Sequence, residues 1–517
     1  MVSMRTALIA VAIMLSICIN DVIVGAIELN GGSTSIEEVP ASMILSKIND
    51  GISINLDHKN IIGDLDLSLL DLRIVDVAAI GLCSMSRVAN SSMRITNSNI
   101  IGDMNLDNTV FTNSIDFSGT SFHGDTRLVM AQFRDEANFA QTHFYKNANF
   151  GQVQFYQDAN FAGAKFDEEA NFREASFEKD AKFSNDQFSK EAGFSGAIFA
   201  GDAYFTNAKF VEDIDLAEAN FSKEVFFRNV QFDGSTNFRD TEFHGDRTDF
   251  MSSKFSKSAN FKNANFTGDA WFIGARFIDV VDFTDVNFKG NLSFTSTEFY
   301  KESDFNKANF YSYISLNHTK FNGFRVHWNS IKNHSVYYDY EYKELINNYK
   351  NIGWLLDASE CYYDYRNYQR EKKPIGISKL LDSVAWLYCG YGVRPGYTII
   401  CIVLLVLIFG IIYKHGDGIR RSGPPCLTQD TLIFAVKNLG DSTYQLNLKQ
   451  EEPKKSLPLK DAIYFSAMTF ASKDTGSLFP DGSHVYLAKI ECILGGFLFG
   501  LFLIFFSGAL QSYFLQP

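Results

Sequence analysis

Large apolar residues recur through the middle of the chain at alternating gaps of five and six residues. The series begins at Phe133 and runs, with Leu216 and Leu316 as substitutes for phenylalanine, to Phe321. A period of eleven residues matches neither an amphipathic helix nor the two-residue alternation of a strand, so it indicates a repeat unit that stacks into a solenoid. We predict an inward-facing ladder of phenylalanines that includes Phe139, Phe150, Phe161, Phe172, Phe183, Phe194 and Phe205.

The residues between the phenylalanines are small or polar. The tripeptide Ala-Asn-Phe occurs at 137–139, 148–150, 159–161 and 170–172. A small residue two places before a large one suits a narrow coil in which both point inward, while the intervening Asp, Glu, Lys, Ser, Asn and Gly suit exposed corners. Stacked coils of this kind pair their backbone groups along the axis and align identical side chains in ladders.

These units resemble those of pentapeptide-repeat proteins, whose pattern is A(D/N)(F/L)xx. The resemblance implies a right-handed quadrilateral β-helix at 106–325, preceded by a region with weak, irregular repeats at 27–105. Two units in every eleven residues give about 22 residues for each four-sided coil, and therefore about ten coils. The extra residue in every second unit departs from the family's plain spacing of five.

One interval breaks the rhythm of the repeat. Phe243 and Phe250 are seven residues apart, one more than the pattern allows. Asp246 and Arg247 lie in this interval, and we predict that they form a bulged corner of the coil. A binding loop is the functional alternative.

The N-terminus has the pattern of an export signal. Arg5 precedes an apolar run, 7–19, that is short for a membrane span, and residues 24–26 (Val-Gly-Ala) have the small side chains of a cleavage site. These features predict a signal peptide at 1–26 and an extracytoplasmic solenoid. An uncleaved anchor is the alternative.

Two longer apolar runs lie near the C-terminus. Residues 397–413 carry no charge, and residues 490–506 carry only that of Glu491. We predict transmembrane helices at 396–414 and 488–512. An inter-span loop, predicted at 415–457, follows the first of them, and a further segment described below precedes the second. The chain is therefore predicted to be a multidomain protein of the cell membrane, with the lipid bilayer as a partner.

Helical spacing replaces the repeat between the solenoid and the first apolar run. The tyrosine-rich residues 334–373, divided by Gly353, predict an α-helical hairpin with tyrosines packed between its helices, with a ligand cage as the alternative. Residues 376–395 predict an interfacial helix and a turn, because the helix has one apolar side that carries Trp386 and Tyr388.

A short polar segment precedes the second apolar run. Residues 458–480 predict a short helix opened by Pro458 and a glycine-containing loop closed by Pro480. The order of span, short helix, loop and span resembles the pore domain of two-transmembrane potassium channels over residues 397–514. The filter-equivalent positions of that family fall on Ser472, Lys473, Asp474, Thr475 and Gly476.

The resemblance implies an ion channel that assembles as a homotetramer and transports monovalent cations. The loop departs from the potassium filter, in which glycines let the backbone carbonyls point at the ion. Asp474 replaces the first of those glycines, and Lys473 adds an ammonium group that a tetramer would repeat four times. Potassium selectivity therefore does not follow from the resemblance.

Charge and motif content narrow the classes of function. Residues 106–321 contain 32 acidic and 21 basic residues in mixed order, so we expect neither nucleic-acid binding nor nucleic-acid mimicry. The seven cysteines are scattered without a metal-ligand spacing. No catalytic motif appears, so the sequence predicts neither an enzyme nor a metal site nor a cofactor.

Two functional hypotheses remain open. One is a channel-like transport protein that carries the solenoid as a sensor or as the binding domain for a protein partner. The other is a surface scaffold anchored by a channel-derived domain that does not conduct. Membrane topology is also open. An exported solenoid and the nine Lys and Arg residues between the spans favour a cytoplasmic pore loop, whereas the basic residues before the first span favour the opposite.

Overall fold

The computed structural model describes residues 36–79, 82–416, 418–421 and 457–514. The predicted signal peptide and most of the predicted loop between the spans lie outside these residues. The chain divides into two compact units, Met1–Asn322 and Gly323–Pro517.

The first unit is a parallel β-solenoid of about 13 turns. Its short strands stack into four sheets, called faces 1 to 4 in the order in which each full coil passes through them. Face 1 contains Ile54–Asp57, Met93–Thr96, Ile115–Asp116, Ala137–Asn138, Ala159–Asn160, Ala181–Lys182, Ala203–Tyr204, Val225–Phe226, Arg247–Asp249, Asp269–Trp271, Leu292–Ser293 and Ile314–Ser315. Face 2 contains Glu37–Pro40, Lys59–Ile62, Asn99–Ile100, Ser121–Phe122, His143–Phe144, Lys165–Phe166, Gln187–Phe188, Lys209–Phe210, Gln231–Phe232, Lys254–Phe255, Arg276–Phe277 and Glu298–Phe299.

The other two sheets have the same construction. Face 3 contains Leu65–Asp66, Met104–Asn105, Thr126–Arg127, Ala148–Asn149, Ala170–Asn171, Ala192–Gly193, Ile214–Asp215, Thr236–Asn237, Ala259–Asn260, Val281–Asp282 and Ser303–Asp304. Face 4 contains Ile74–Ala79, Leu82–Ala89, Thr109–Phe111, Gln132–Phe133, Gln154–Phe155, Ser176–Phe177, Ile198–Phe199, Asn220–Phe221, Glu242–Phe243, Asn265–Phe266, Asn287–Phe288 and Asn309–Phe310.

The register along each face is set by the length of one coil. Ala137 pairs with Ala159 on face 1, and Phe144 pairs with Phe166 on face 2, both 22 residues apart. The solenoid has more coils than the ten predicted, because residues before 106 also belong to it. The sequence conceals these first coils, since Ile54 pairs with Met93, 39 residues away. An antiparallel pair of strands, Ile74–Ala79 and Leu82–Ala89, accounts for much of the added length.

The α-helix Ala41–Asn49 (α1) lies at the start of the solenoid. Its residues Ala41, Ile44 and Ile48 are buried, while its remaining side chains are more exposed. A solenoid needs such a terminal element, because its first coil would otherwise expose apolar surface to water. A 3₁₀ helix, Leu67–Leu69, follows the strand Leu65–Asp66.

The predicted phenylalanine ladder forms two stacks rather than one. Phe139 stacks on Phe161 with ring centroids 5.0 Å apart, and Phe150 stacks on Phe172 at 4.7 Å. Members of different stacks meet edge to face, as Phe150 and Phe161 do at 89° and 5.3 Å. The 11-residue spacing therefore alternates between two columns, each with a 22-residue repeat. All seven predicted ladder residues are fully buried.

Two kinds of corner explain the alternation of five and six residues. In the five-residue intervals one residue has a positive φ, as Gln141 does at 58° and Glu174 at 57°. This residue belongs to a tight turn: around Glu174, the carbonyl of Phe172 accepts a hydrogen bond from the N–H of Ala175, 3.1 Å away. The six-residue intervals turn without such a residue.

Asparagine in the Ala-Asn-Phe units supports both the corner and the stack. Asn160 Oδ1 accepts a hydrogen bond from the N–H of Ala162 at 3.2 Å, and Asn160 Nδ2 donates one to Asn138 Oδ1 at 3.1 Å. One side chain thus stabilises its own turn and pairs with the previous coil. This geometry accounts for Asn at positions that face outward.

The extra residue between Phe243 and Phe250 lengthens one coil. Val225 pairs with Thr248, so the register across this point is 23 residues. The strand Arg247–Asp249 has three residues where most of its neighbours on face 1 have two. Asp246 is exposed at the corner, and Arg247 is half-buried.

The second unit is mainly helical. Its helices are Trp328–Ile331 (α2), Asp339–Asn351 (α3), Leu355–Lys372 (α4), Ile377–Cys389 (α5), Pro395–His415 (α6), Leu459–Phe470 (α7) and His484–Phe514 (α8), with a 3₁₀ turn at Gly390–Gly392. Its strands are Phe324–Arg325, Ile419–Arg421 and Leu478–Pro480. Helices α3 and α4 lie on either side of Gly353 and pack through tyrosines, with the rings of Tyr342 and Tyr365 5.3 Å apart.

Helix α5 has one packed side and one exposed apolar side. Trp386 Nε1 donates a hydrogen bond to Tyr363 Oη on α4 at 2.9 Å, and the Arg370 guanidinium lies 4.3 Å from the centre of the Trp386 ring. Leu380, Leu381 and Leu387 are more than 60% exposed on the other side. This arrangement suits a helix that lies along an apolar surface.

Two helices are long and apolar enough to cross a membrane by length and composition. The windows are Gly396–His415 in α6 and His484–Leu503 in α8, with mean hydropathies of 2.7 and 1.7. Most side chains in both windows lie outside the core of the unit, so they present apolar surface outward. The two helices overlap the predicted spans at 396–414 and 488–512.

Candidate pore-like site

Helix α7 packs between α6 and α8 through glycines on both sides. A Cβ on Gly410 of α6 would approach Cγ1 of Ile463 to 2.9 Å, and a Cβ on Gly495 of α8 would overlap the carbonyl oxygen of Phe470. Small residues of this kind let helix backbones approach closely in apolar surroundings. The apolar side of α7 completes the contact, with the Phe465 ring edge-on to that of Tyr413 at 5.1 Å.

The segment that contains α7 starts beside the C-terminal end of α6, and it ends beside the residues that join α6 to the start of α8. Lys414 Nζ donates a hydrogen bond to the carbonyl of Leu457 at 2.8 Å, which places the start of α7 beside the end of α6. After α7, the strand Leu478–Pro480 pairs with Ile419–Arg421, which follows α6. The N–H of Asp481 then bonds to the carbonyl of Gly418 at 2.8 Å, just before α8 begins.

The C-terminal end of α7 lies well inside the helix pair. Gly495, which touches Phe470, is eleven residues from the start of α8, or about 16 Å along its axis. That distance is about half the thickness of a membrane's hydrocarbon core. If α6 and α8 span a bilayer, α7 enters it and ends near its middle. The loop after α7 then returns to the side from which the helix entered.

The filter-equivalent residues form the loop that follows α7. Ser472, Lys473, Asp474 and Gly476 are exposed, and Thr475 is half-buried. Ser472 has a φ of 53° and Gly476 a φ of 66°. Within the loop, Asp474 Oδ1 accepts a hydrogen bond from the N–H of Gly476 at 2.9 Å, and Thr475 Oγ1 donates one to the carbonyl of Leu478 at 2.7 Å. The loop is therefore curled by its own side chains.

A buried polar cluster joins the three helices. Glu491 on α8 and Ser466 on α7 are fully buried, and Tyr413 on α6 is 1% exposed. Tyr413 Oη donates a hydrogen bond to Glu491 Oε2 at 2.8 Å, and Ser466 Oγ contacts Glu491 Oε1. The sequence drew attention to Glu491 as a charge in an apolar run but gave no indication of its partners, because they lie 78 and 25 residues away.

Side chains of metal-ligating types and Cys492 are further candidate groups around the loop. In the described part of the chain, no group of three or more His, Cys, Asp or Glu side chains is placed to hold a metal ion. Cys492 lies beside the loop, with its sulfur 3.4 Å from Ser472 Oγ.

Part of the first unit matches a known protein family. Four segments match the family described as Pentapeptide repeats (9 copies): 106–154, 139–185, 187–231 and 245–286. The matched part of the solenoid therefore contains pentapeptide repeats. The match does not extend to the apolar helices of the second unit. No curated protein and no solved structure matches the chain significantly.

At the extra residue, the side chains of the solenoid contact one another. The Arg247 guanidinium lies 5.0 Å from the ring centre of Phe226 and 5.1 Å from that of Trp271, and it pairs with Glu224 at 2.9 Å. Asp249, fully buried, pairs with Arg228. Cation–π and ionic contacts within the solenoid therefore engage Arg247 and Asp249, although Arg247 Nε has no hydrogen-bond partner. This favours the bulged corner over the binding loop.

Proposed function

We propose that this chain is a subunit of a cation-conducting membrane pore and that its pentapeptide-repeat solenoid serves as an interaction or sensor domain. The observation that carries the proposal is the path of 457–481, which enters between the two apolar helices as α7 and returns beside its entry. Backbone that is not part of a full span is tolerated at membrane depth only where protein buries it or where it lines a water-filled cavity. The exposed loop after α7 fits the second case.

The direction of α7 favours cations. Its C-terminal end, which carries the negative end of the helix dipole, points toward the middle of the helix pair. Half-helices in transport proteins place this end near bound cations. One chain supplies one such loop, so a pore needs several copies. The likeness to potassium channels suggests a homotetramer and monovalent cations as its substrates.

The loop chemistry argues against a potassium filter. Asp474 accepts a hydrogen bond from the N–H of Gly476, which curls the backbone where a potassium channel extends it. Lys473 places a positive charge in the exposed loop. We therefore expect conduction that discriminates weakly between potassium and sodium.

The solenoid offers broad faces of mixed charge to a protein partner. Ion pairs recur on its surface, such as Lys190 with Glu212 at 2.8 Å and Lys301 with Asp279 at 2.8 Å. The acidic excess over 106–321 would repel the phosphates of nucleic acid. A protein partner is therefore the better candidate.

A non-conducting surface scaffold is the second candidate function. The curled loop around Asp474 favours it, because such a turn does not line up carbonyls along an ion path. The proposed signal peptide at 1–26 also favours it, since export of the solenoid would place the pore loop on the cytoplasmic side. The N-terminal residue of the mature protein tests this point: a start near Ile27 supports export, and an intact N-terminus contradicts it.

Ion flux through proteoliposomes tests the proposed function. Vesicles that contain the purified full-length protein should lose a potassium or sodium gradient faster than empty vesicles do. Chemical cross-linking should trap species up to a tetramer. A protein that inserts into the vesicles without increasing either flux would contradict the proposal and favour the scaffold.

A further inference from the structure

The hydrogen bonds around Glu491 require one more proton than its two partners provide. Three contacts must be filled: Tyr413 Oη with Glu491 Oε2, Ser466 Oγ with Glu491 Oε1, and Ser466 Oγ with the carbonyl of Val406 at 3.0 Å. The tyrosine hydroxyl has one proton and the serine hydroxyl has one. A carbonyl and an ionised carboxylate supply none. The third proton can come only from the carboxyl group itself.

We propose that Glu491 is a proton-bearing positioning residue that fastens α7 between α6 and α8, and that its ionisation releases α7. In the protonated form, Tyr413 donates to Oε2, Oε1–H donates to Ser466 Oγ, and Ser466 donates to the carbonyl of Val406. Every polar atom of the cluster then has a partner. Loss of the proton to water leaves a buried anion and one unfilled contact, both of which are costly in apolar surroundings.

The surroundings of Glu491 leave no other group to neutralise it. Lys414 Nζ donates a hydrogen bond to the carbonyl of Leu457, and Asp461 pairs with Arg421 at 2.8 Å. The sulfur of Cys492 contacts Ser472 Oγ. The His484 ring faces that of Tyr413 at 6.2 Å. The other described titratable and charged side chains on α6, α7, α8 and the paired strands are Tyr397, Cys401, His415, Lys460, Tyr464, Tyr486, Lys489 and Arg420. Helices α4 and α5 also contact α8, and they carry Asp357, Glu360, Cys361, Tyr362, Tyr363, Asp364, Tyr365, Arg366, Tyr368, Arg370, Glu371, Lys372, Lys379, Asp382, Tyr388 and Cys389. Among the described residues, Tyr413 is the only titratable group in hydrogen-bond contact with the Glu491 carboxyl.

Glutamine reproduces the protonated form of Glu491. Its carbonyl oxygen can accept from Tyr413, and its amide can donate to Ser466 at every pH. Glu491→Gln should therefore keep α7 in place, whereas Glu491→Ala removes both contacts. This pair of variants separates a proton-dependent role from simple space filling.

Amide hydrogen exchange of α7 in the full-length protein in detergent tests the proposal. At about pH 6 the wild type and Glu491→Gln should exchange equally slowly over 459–470. At about pH 9 the wild type should exchange at least about tenfold faster than Glu491→Gln measured at the same pH. Comparison at one pH cancels the intrinsic effect of pH on exchange. A ratio that stays constant with pH would overturn the proposal.

Infrared spectroscopy gives an independent readout. At about pH 7 the wild type should show the carbonyl-stretch band of a protonated carboxylic acid that Glu491→Gln lacks, and Glu360→Gln, which removes a carboxylate paired with Arg394, should leave the band unchanged. No difference between the wild type and Glu491→Gln would overturn the proposal. The inference uses the α6–α7–α8 arrangement of the proposed pore, but neither readout depends on conduction. Absence of ion flux would therefore contradict the proposed pore, but it would not affect the proposed proton-dependent role of Glu491 in holding α7.

Discussion

The carbonyl oxygen of Phe470, at the end of α7, occupies the place where a side chain on Gly495 of α8 would begin. This contact fixes how deeply α7 reaches between the two apolar helices. The next residue, Gly496, faces open space, since a Cβ there would have nothing within 4 Å. The two glycines are therefore a matched pair for testing the position of α7.

Gly495→Ala should displace α7 and reduce ion flux at least about tenfold, because the added methyl meets backbone that cannot move aside. Gly496→Ala should keep wild-type flux, since the same methyl has space. Flux from proteoliposomes containing equal amounts of inserted protein is the measurement. Equal flux in the two variants would show that the contact does not control the pore.

Lys473→Gln should increase cation flux severalfold. In a tetramer the exposed ammonium groups would form a ring of positive charge beside the ion path, which opposes cation entry. Lys489→Gln on α8 is the control, because it removes the same charge at a site outside the loop. A loop that lies away from the ion path would give no change for either variant.

Phe172→Ala should lower the free energy of unfolding of the solenoid by about 3–5 kcal/mol. Phe172 is fully buried, with the rings of Phe150 and Phe194 stacked 4.7 and 4.9 Å away. Phe172→Leu should cost less than about half as much, since Leu128 and Leu216 occupy the same column naturally. Urea unfolding followed by circular dichroism measures both. Similar losses for the two variants would contradict the stacked-column geometry.

Asp186→Ala should stabilise the solenoid, and more so at high pH. Asp186 takes the inward position that Ala164 and Ala208 hold in adjacent coils, it is 1% exposed, and its Oδ2 has no hydrogen-bond partner. Burial raises the pKa of this carboxyl well above 3.8. Ionisation is therefore penalised only in the folded state, so stability is full below pH 3.8 and falls as the pH rises toward the raised pKa.

The expected gain from Asp186→Ala is about 1–3 kcal/mol near neutral pH and smaller at about pH 4. Urea unfolding at the two pH values measures the difference. Asp125→Ala, which removes an exposed carboxyl, should not reproduce the pH dependence. A gain independent of pH would mean that Asp186 stays un-ionised, or is otherwise satisfied, over the whole range.

The repeat could be predicted from the sequence because its signal is local. An inward Ala two places before an inward Phe follows from the spacing of the repeat, as at Ala137 and Phe139. The reason for the alternation of five and six residues could not be predicted, because the positive-φ corner accepts residues as different as Gln141 and Lys307. The early coils could be predicted only as weak, irregular repeats, because an inserted strand pair separates Ile54 from its partner.

The candidate site was predicted only in outline. The order of apolar helix, short helix, loop and apolar helix is visible in the hydropathy and the prolines of the sequence. The cluster of Tyr413, Ser466 and Glu491 is not, since its members come from three helices and nothing local links them. The loop positions follow from the resemblance to potassium channels, but the turn at Asp474 follows from the geometry of the chain.

Planar-bilayer recording from the purified full-length protein tests the central claim most directly. Under a salt gradient, the account predicts stepwise currents that reverse near the equilibrium potential of the cation, with similar permeability for potassium and sodium. The absence of current from a protein shown to be inserted would contradict a cation pore built on α7 and its loop. A current that reverses near the equilibrium potential of the anion would contradict it as well.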